Sequence, residues 1–225
     1  MKTIDILNFI DSFAPFNTAL PFDNAGLLVG SGEKEIKKIG IVLDVTAEAA
    51  EYAAQNGIDL IVSHHPVIFN PLKKLETESV PYFLAKNDIA VISAHTNLDA
   101  AKGGVNDALA KALELEDITP LAEGGSDGFP PMGRIGTLKQ PISDEEFAKF
   151  VAEKLSTKAK AVLGGRQISK VALCGGAGED FIMPAVYAGA DALVTADVKH
   201  HNLLLAKSLG LCLIDAGHFE TENVI

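Results

Sequence analysis

Apolar positions along this 225-residue chain fall into two kinds of run that alternate. Short, nearly continuous stretches of branched side chains, such as LIVS at 60–63 and IAVIS at 89–93, have the length and composition of strands buried on both faces. Similar runs predict strands at 27–30 and 36–44, with a shorter one at 134–138. Between them lie segments with apolar residues three or four apart, the period of a helix that buries one face. They predict helices at 3–13 with Thr3 as N-cap and Pro15 as terminator, at 46–56, 80–87 and 106–114, and at 144–155 with Ser143 as N-cap. Strands alternating with helices in this way indicate an α/β fold with mostly parallel sheets covered by helices.

The passage EGGSDGFPPMGRIG (123–136) breaks the alternation, which divides the chain into an N-terminal half, 1–125, and a C-terminal half, 126–225. The second half weakly repeats the first, so the expectation is two similar α/β halves. NGIDLIVSHH (56–65) can be laid beside AGADALVTAD (188–197), and IAVISAHTNLD (89–99) beside LCLIDAGHFETE (211–222). The second pairing matches His95 with His218 and Asp99 with Glu222. Two unrelated strand–helix–strand units could look this similar, but the spacing has a consequence of its own. If the chain turns helically after each strand, a histidine and a carboxylate four residues later share a face and can address one centre.

This spacing directs attention to histidine. All six histidines lie just beyond an apolar run, in LIVSHHP, AVISAHTNLD, ALVTADVKHH and LCLIDAGHFETE. In α/β proteins the loops after the carboxyl ends of parallel strands are where ligands bind, so these segments can converge. Imidazole and carboxylate are the donors that divalent zinc and its neighbours take. His64 and His65 are adjacent, so both reach one cavity only where the chain leaves the strand, and Pro66 marks that exit. The plain alternative is one core histidine and one exposed one. Asp99 alone would most often cap the turn and helix that follow, and its pairing with His95 turns the reading towards ligation. The number of histidines and acids is sufficient for two ions roughly 3.5–4 Å apart, with a carboxylate able to bridge them. His200 and His201 begin an amphipathic segment: His200 reads as surface, while Asp197 and His201 are candidates to support the ligands from behind.

Composition narrows the partners. A formal net charge of -11 opposes binding to phosphate backbones, and the pairs Lys37-Lys38 and Lys73-Lys74 read as solvated surface, so nucleic acid is not an expected partner. No stretch approaches the roughly 20 apolar residues of a bilayer span, and residues 1–10 lack the pattern of a signal peptide. A soluble cytoplasmic protein is expected. Cys174 and Cys212 lie in apolar runs and read as small buried hydrophobes. CGGAGED (174–180) lacks the spacings of phosphate-binding loops and reads as a tight turn.

ALPFDNAGLLVG (19–30), the strand ending in Asp44, DLIVSHHPVIF (59–69), SAHTNLDAAKGGVND (93–107), GRIG (133–136), GADALVTADVKHH and DAGHFETE together resemble the Nif-three-like family of GTP cyclohydrolase I type 2 homologs, over nearly the whole chain. The resemblance implies a dinuclear centre between the halves at the carboxyl ends of the strands, held by His64, His65, Asp99, His218 and Glu222. It places His95 beside the metals as an orienting or proton-shuttling residue. It also implies paired α/β halves, a toroidal hexamer and, with the short gap between halves, the compact form without an inserted domain. Family members usually continue beyond the position of Ile225 with a further helix and strand. The ions would be Zn, Mn, Fe, Co or Ni, since mixed imidazole–carboxylate sites accept all of these. Two functional expectations follow: a metal-dependent hydrolase-like protein using a metal-activated water, of the kind that opens cyclic amidine C–N bonds, or a metal-delivery or regulatory protein that turns over no organic substrate.

Overall fold

The computed structural model describes residues 1–121 and 132–225, so the expected boundary between 125 and 126 lies outside the described residues. The chain divides by compactness into Met1–Ala101 and Lys102–Ile225. The helix expected at 106–114 thus builds the second unit.

In the first unit α1 (Thr3–Asp11) begins at the residue expected to cap it. Lys2 is the N-cap and Thr3 is already helical and fully buried. The Asp5 carboxylate accepts the Lys2 N–H at 2.7 Å, which ties the cap residue back to the first turn. After a 3₁₀ turn at Phe16–Thr18 follow β1 (Gly26–Val29), β2 (Ile39–Val42), α2 (Ala47–Gln55), β3 (Leu60–Ser63), α3 (Val80–Lys86), β4 (Ala90–Ser93) and α4 (Thr96–Ala100). Thr46 caps α2 by accepting the Ala49 N–H. The sheet order is β1-β4-β3-β2, with β2, β3 and β4 parallel and β1 antiparallel to β4. Alternate residues feed two apolar layers, Leu60, Ala90 and Ile92 in one and Ile61 and Val91 in the other, so the sheet is covered on both faces.

The second unit comprises α5 (Val105–Ala112), β5 (Glu116–Pro120), β6 (Arg134–Ser143), α6 (Asp144–Lys154), β7 (Lys160–Val162), β8 (Gln167–Ala177), α7 (Ile182–Tyr187), β9 (Ala192–Ala196), α8 (His200–Leu209), β10 (Cys212–Asp215) and α9 (His218–Glu222). Its order is β5-β6-β8-β9-β10-β7. Strands β8, β9 and β10 run parallel, while β5, β6 and β7 lie antiparallel to their neighbours. Ser143 caps α6 as expected, in a reciprocal capping box with Glu146.

Both sheets are therefore mixed: among the described strands the first is mostly parallel, as expected, while in the second only β8, β9 and β10 run parallel. The reason lies in burial. The apolar runs visible in the sequence, β3, β4, β9 and β10, are parallel strands covered on both faces. The antiparallel edge strands EDITP and KAV leave most residues exposed or half-buried and carry no such run. Strand β6 is twice the expected length because it passes Pro141 through a register shift between Thr137 and Ile142, where a residue without an N–H does least harm.

The internal repeat has a specific physical content. Asp59 Oδ2 accepts the backbone N–H groups of Lys37 and Lys38 at 2.8 and 2.9 Å, and Lys38 Nζ donates to Asn56 O. In the second unit Asp191 Oδ2 accepts from Ser169 and Lys170 at 3.0 and 2.9 Å, and Lys170 Nζ donates to Ala188 O. The NGID and AGAD segments thus perform the same task, clamping the incoming strand against the next. Asp191→Ala strands two backbone donors and is expected to lower stability by about 1–3 kcal/mol in urea unfolding, while Lys149→Ala on the exposed face of α6 shifts it by less than about 0.5 kcal/mol.

Candidate metal centre

Strands β3 and β4 are parallel neighbours, so the chain leaves both at the same end of the first sheet. Ser63 and Ser93 Oγ atoms, 2.7 Å apart, tie these ends together. Immediately beyond, His64, His65 and His95 bring one ligand atom each within 4.8 Å of the others. Their rings lie 5.0 to 5.5 Å apart, centre to centre. Adjacent residues reach one place because the chain has left the extended conformation at His64, as Pro66 suggested.

Each ring is fastened through Nδ1. His64 Nδ1 lies 2.9 Å from Ala94 O, His65 Nδ1 2.8 Å from Asp44 Oδ1, and His95 Nδ1 2.8 Å from Asp23 Oδ1. A carbonyl and two carboxylates can only accept, so each ring donates from Nδ1, and Nε2 is the atom it can offer a cation. This arrangement places donor atoms for a cation, and it fits a divalent ion of the zinc type.

Asp99 was expected to pair with His95, four residues earlier. The helical turn forms, with Asp99 N–H donating to His95 O at 3.0 Å. Asp99 is buried inside α4, not a cap, and its Oδ1 stands 3.5 Å from His64 Nε2. The partner is thus the histidine from the neighbouring strand.

Asp23, in FDNAG, has a role the sequence reading did not assign. Its Oδ1 accepts from His95 Nδ1 and Asn24 N, and its Oδ2 from Thr96 N and Oγ1. Burial works to raise the Asp23 carboxyl, and these donors more than offset it, holding it at about 2. His95 therefore faces a permanent anion. Asp44, two residues past β2, was likewise given no role. The signal for both was an acid just after a strand or in a turn, too common to single out.

In the second unit α9 starts three residues after the end of β10, and His218 and Glu222 share its face as expected, Nε2 to Oε1 at 3.2 Å. Asp197 Oδ2 lies 2.6 Å from His218 Nδ1, repeating the fastening seen in the first unit. The hydrogen bond to Glu222 is the largest influence raising the His218 imidazole; burial opposes it, Asp197 reinforces it, and the result is about 9. Between these carboxylates a proton occupies the place a cation would take. Gly176 permits this packing: its φ is +63°, and a Cβ there would come 2.3 Å from Glu222 Oε1 and 3.2 Å from His218 Nε2. Strand register places the repeat one residue differently from the alignment. Ala90 pairs with Leu60 as Cys212 pairs with Ala192, which sets His95 against Gly217 and leaves His218 one position later.

His200 and His201 are exposed at the start of α8, and among the described residues His201 joins no cluster of ligand atoms. Cys174 and Cys212 are buried, and burial above all pushes the Cys212 thiol up to about 12, a poor ligand or nucleophile at neutral pH. No described helix is long and apolar enough to cross a membrane.

Fold and geometry define a class: a mixed-sheet α/β protein with candidate metal-binding clusters of histidine and carboxylate where its parallel strands end. The chain belongs to the Duf34/NIF3 (NGG1p interacting factor 3) family, whose model matches residues 1–225. It is 38% identical over 231 residues to the GTP cyclohydrolase 1 type 2 homolog of Methanocaldococcus jannaschii, covering 99% of this chain and 90% of that one. The Clostridium perfringens protein of the same name is 36% identical over 228 residues, covering 99% and 87%. These alignment lengths leave no room for an inserted domain, so the chain has the compact form. The crystal structure of Staphylococcus aureus hypothetical protein SA1388 is similar with a TM-score of 0.91 at 30% identity, covering 98% of this chain and 87% of that one.

Asp23 supplies a pH-dependent prediction. Its folded carboxyl titrates near 2 against 3.8 in the unfolded chain, so its contribution is complete above about 3.8 and is lost as pH falls towards 2. Asp23→Asn is expected to flatten the acid limb of stability between these values, measured by urea unfolding at successive pH.

Proposed function

We propose that the chain holds two divalent ions and that the protein is a metal-dependent hydrolase of the GTP cyclohydrolase 1 type 2 homolog kind, acting on cyclic amidine C–N bonds. In this reading His64, His65, Asp99, His218 and Glu222 are the ligands. The observation that carries it is the repeated Nδ1 fastening: four imidazoles, each held by an acceptor so that Nε2 is the presented donor.

Divalent ions in such a site supply Lewis acidity and make water nucleophilic near neutral pH. The chain's own part is to orient and to move protons. Asp44 and Asp197 hold the Nδ1 side of His65 and His218, and His218, protonated at neutral pH, gives up its Nε2 proton when an ion binds. His95, its Nδ1 held by Asp23 Oδ1 at 2.8 Å, is aimed to take a proton at Nε2 and return it. Asp99 and Glu222, buried beside imidazole, bring the negative charge that offsets the ions. By family resemblance the chain assembles as a hexameric ring, for which light scattering should report six times the chain's 23.7 kDa.

Elemental analysis of protein purified without added metal tests the centre. About two equivalents per chain are expected, the number a dinuclear site requires. His64→Ala and Glu222→Ala should each lower the content, and so should Gly176→Ala, whose methyl would overlap the Glu222 carboxylate. Fewer than one equivalent, unchanged in these variants, would refute the centre. Metal-loaded protein should then show metal-dependent turnover of GTP or a related purine nucleotide. Metal exchange without turnover across a nucleotide panel would favour metal handling instead.

A further inference from the structure

We propose that the cleft beside His218 binds a small phosphorylated compound that also carries ammonium or amidine N–H donors. The cleft, about 460 Å³, lies in the second unit where β10 ends, and its lining includes Lys158, Lys160, Asp215 and Glu220. Its volume falls within the usual range for small-molecule sites.

The charges are the reason for this choice of ligand. The protein is acidic, with net charge -11, yet among the described residues neither Lys158 nor Lys160 forms an ion pair, and neither do Asp215 and Glu220 beside them. Lys160 and Asp215 stand directly opposite each other on β7 and β10 and still do not pair. Asp215 takes only long hydrogen bonds, 3.3 Å each, from the Val198 and Gly217 N–H groups. Two cations and two anions line one concavity without neutralising each other, so a ligand bearing both signs satisfies all four. Phosphate oxygens accept from lysine ammonium groups, and an ammonium or amidine donates to carboxylates.

The frame is built to hold this shape. Thr157, at the start of the lining loop, donates its N–H to Ala152 O at 2.9 Å and its hydroxyl to Ala216 O at 2.8 Å, which pins the loop to the end of β10. Gly217 has φ +92°, and a Cβ there would lie 2.2 Å from Glu220 Oε2, so glycine is what lets the Glu220 carboxylate fold back over the backbone. The cleft thus begins one residue before His218. Its meaning as a substrate subsite rests on His218 being a metal ligand; the binding itself does not.

Calorimetric titration with ω-aminoalkyl phosphates of graded chain length, against inorganic phosphate and the matching amino alcohols, tests the cleft. Metal content is measured on the same samples. At least one chain length should bind about tenfold or more tighter than inorganic phosphate, a difference of about 1.4 kcal/mol. Lys158→Gln with Lys160→Gln should abolish binding of both. Glu220→Gln should bring the aminoalkyl phosphate down to the level of inorganic phosphate and leave the latter unchanged. If no chain length exceeds inorganic phosphate, or if binding survives the double lysine substitution, the proposal is overturned. Metal-replete protein that binds none of the probes removes this cleft alone. Metal-free protein that binds them keeps the cleft and removes the metal reading.

Discussion

The hydrogen bond at Nδ1 is the constraint on which the site depends. An imidazole left to itself rotates and exchanges tautomers, and a cation can use it only when Nε2 is both deprotonated and aimed. Here the aim is set by acceptors placed at fixed points of the fold: the Ala94 carbonyl past β4, Asp44 past β2, Asp23 in the turn before β1 and Asp197 past β9. Each acceptor sits where backbone enters or leaves a sheet, so the precision of the site is the precision of strand pairing. The Ser63–Ser93 contact and the Asp59 and Asp191 clamps serve that precision at opposite ends of the parallel strands.

The fold explains why histidines far apart in sequence gather. Parallel neighbours end on the same side, so each exit loop adds one or two side chains to a common place. The short helices α4 and α9 then fold back at once, burying Asp99 and Glu222 close to imidazole. Buried carboxylates beside imidazole are costly unless a positive charge is near, and in the second unit a proton on His218 fills that role at neutral pH. Metal uptake in such a site therefore exchanges a proton for an ion, and affinity rises with pH.

Much of this was legible in the sequence. The doubly buried strands, the helical turn after each, and the pairing of His218 with Glu222 all follow from local pattern. What was not legible depended on neighbours across the sheet. The polar edge strands β5 and β7 carry no apolar run, so the second sheet was expected to be more parallel than it is. Asp99 meets His64 and not His95 because the adjacent strand brings His64 closer, a relation that spacing within one segment cannot contain. Asp23 and Asp44 were passed over for the same reason, since each serves a histidine dozens of residues or a strand away. The alignment of the repeat missed by one position, because a histidine at the cap of α4 corresponds in register to Gly217.

X-ray absorption spectroscopy of the metal-loaded protein tests the central claim most directly. The account predicts first-shell nitrogen and oxygen scatterers with the multiple-scattering pattern of imidazole, and a second metal at roughly 3.5–4 Å. It further predicts that the imidazole contribution weakens in His65→Ala. A spectrum of oxygen ligands alone, unaltered by that substitution, would contradict it.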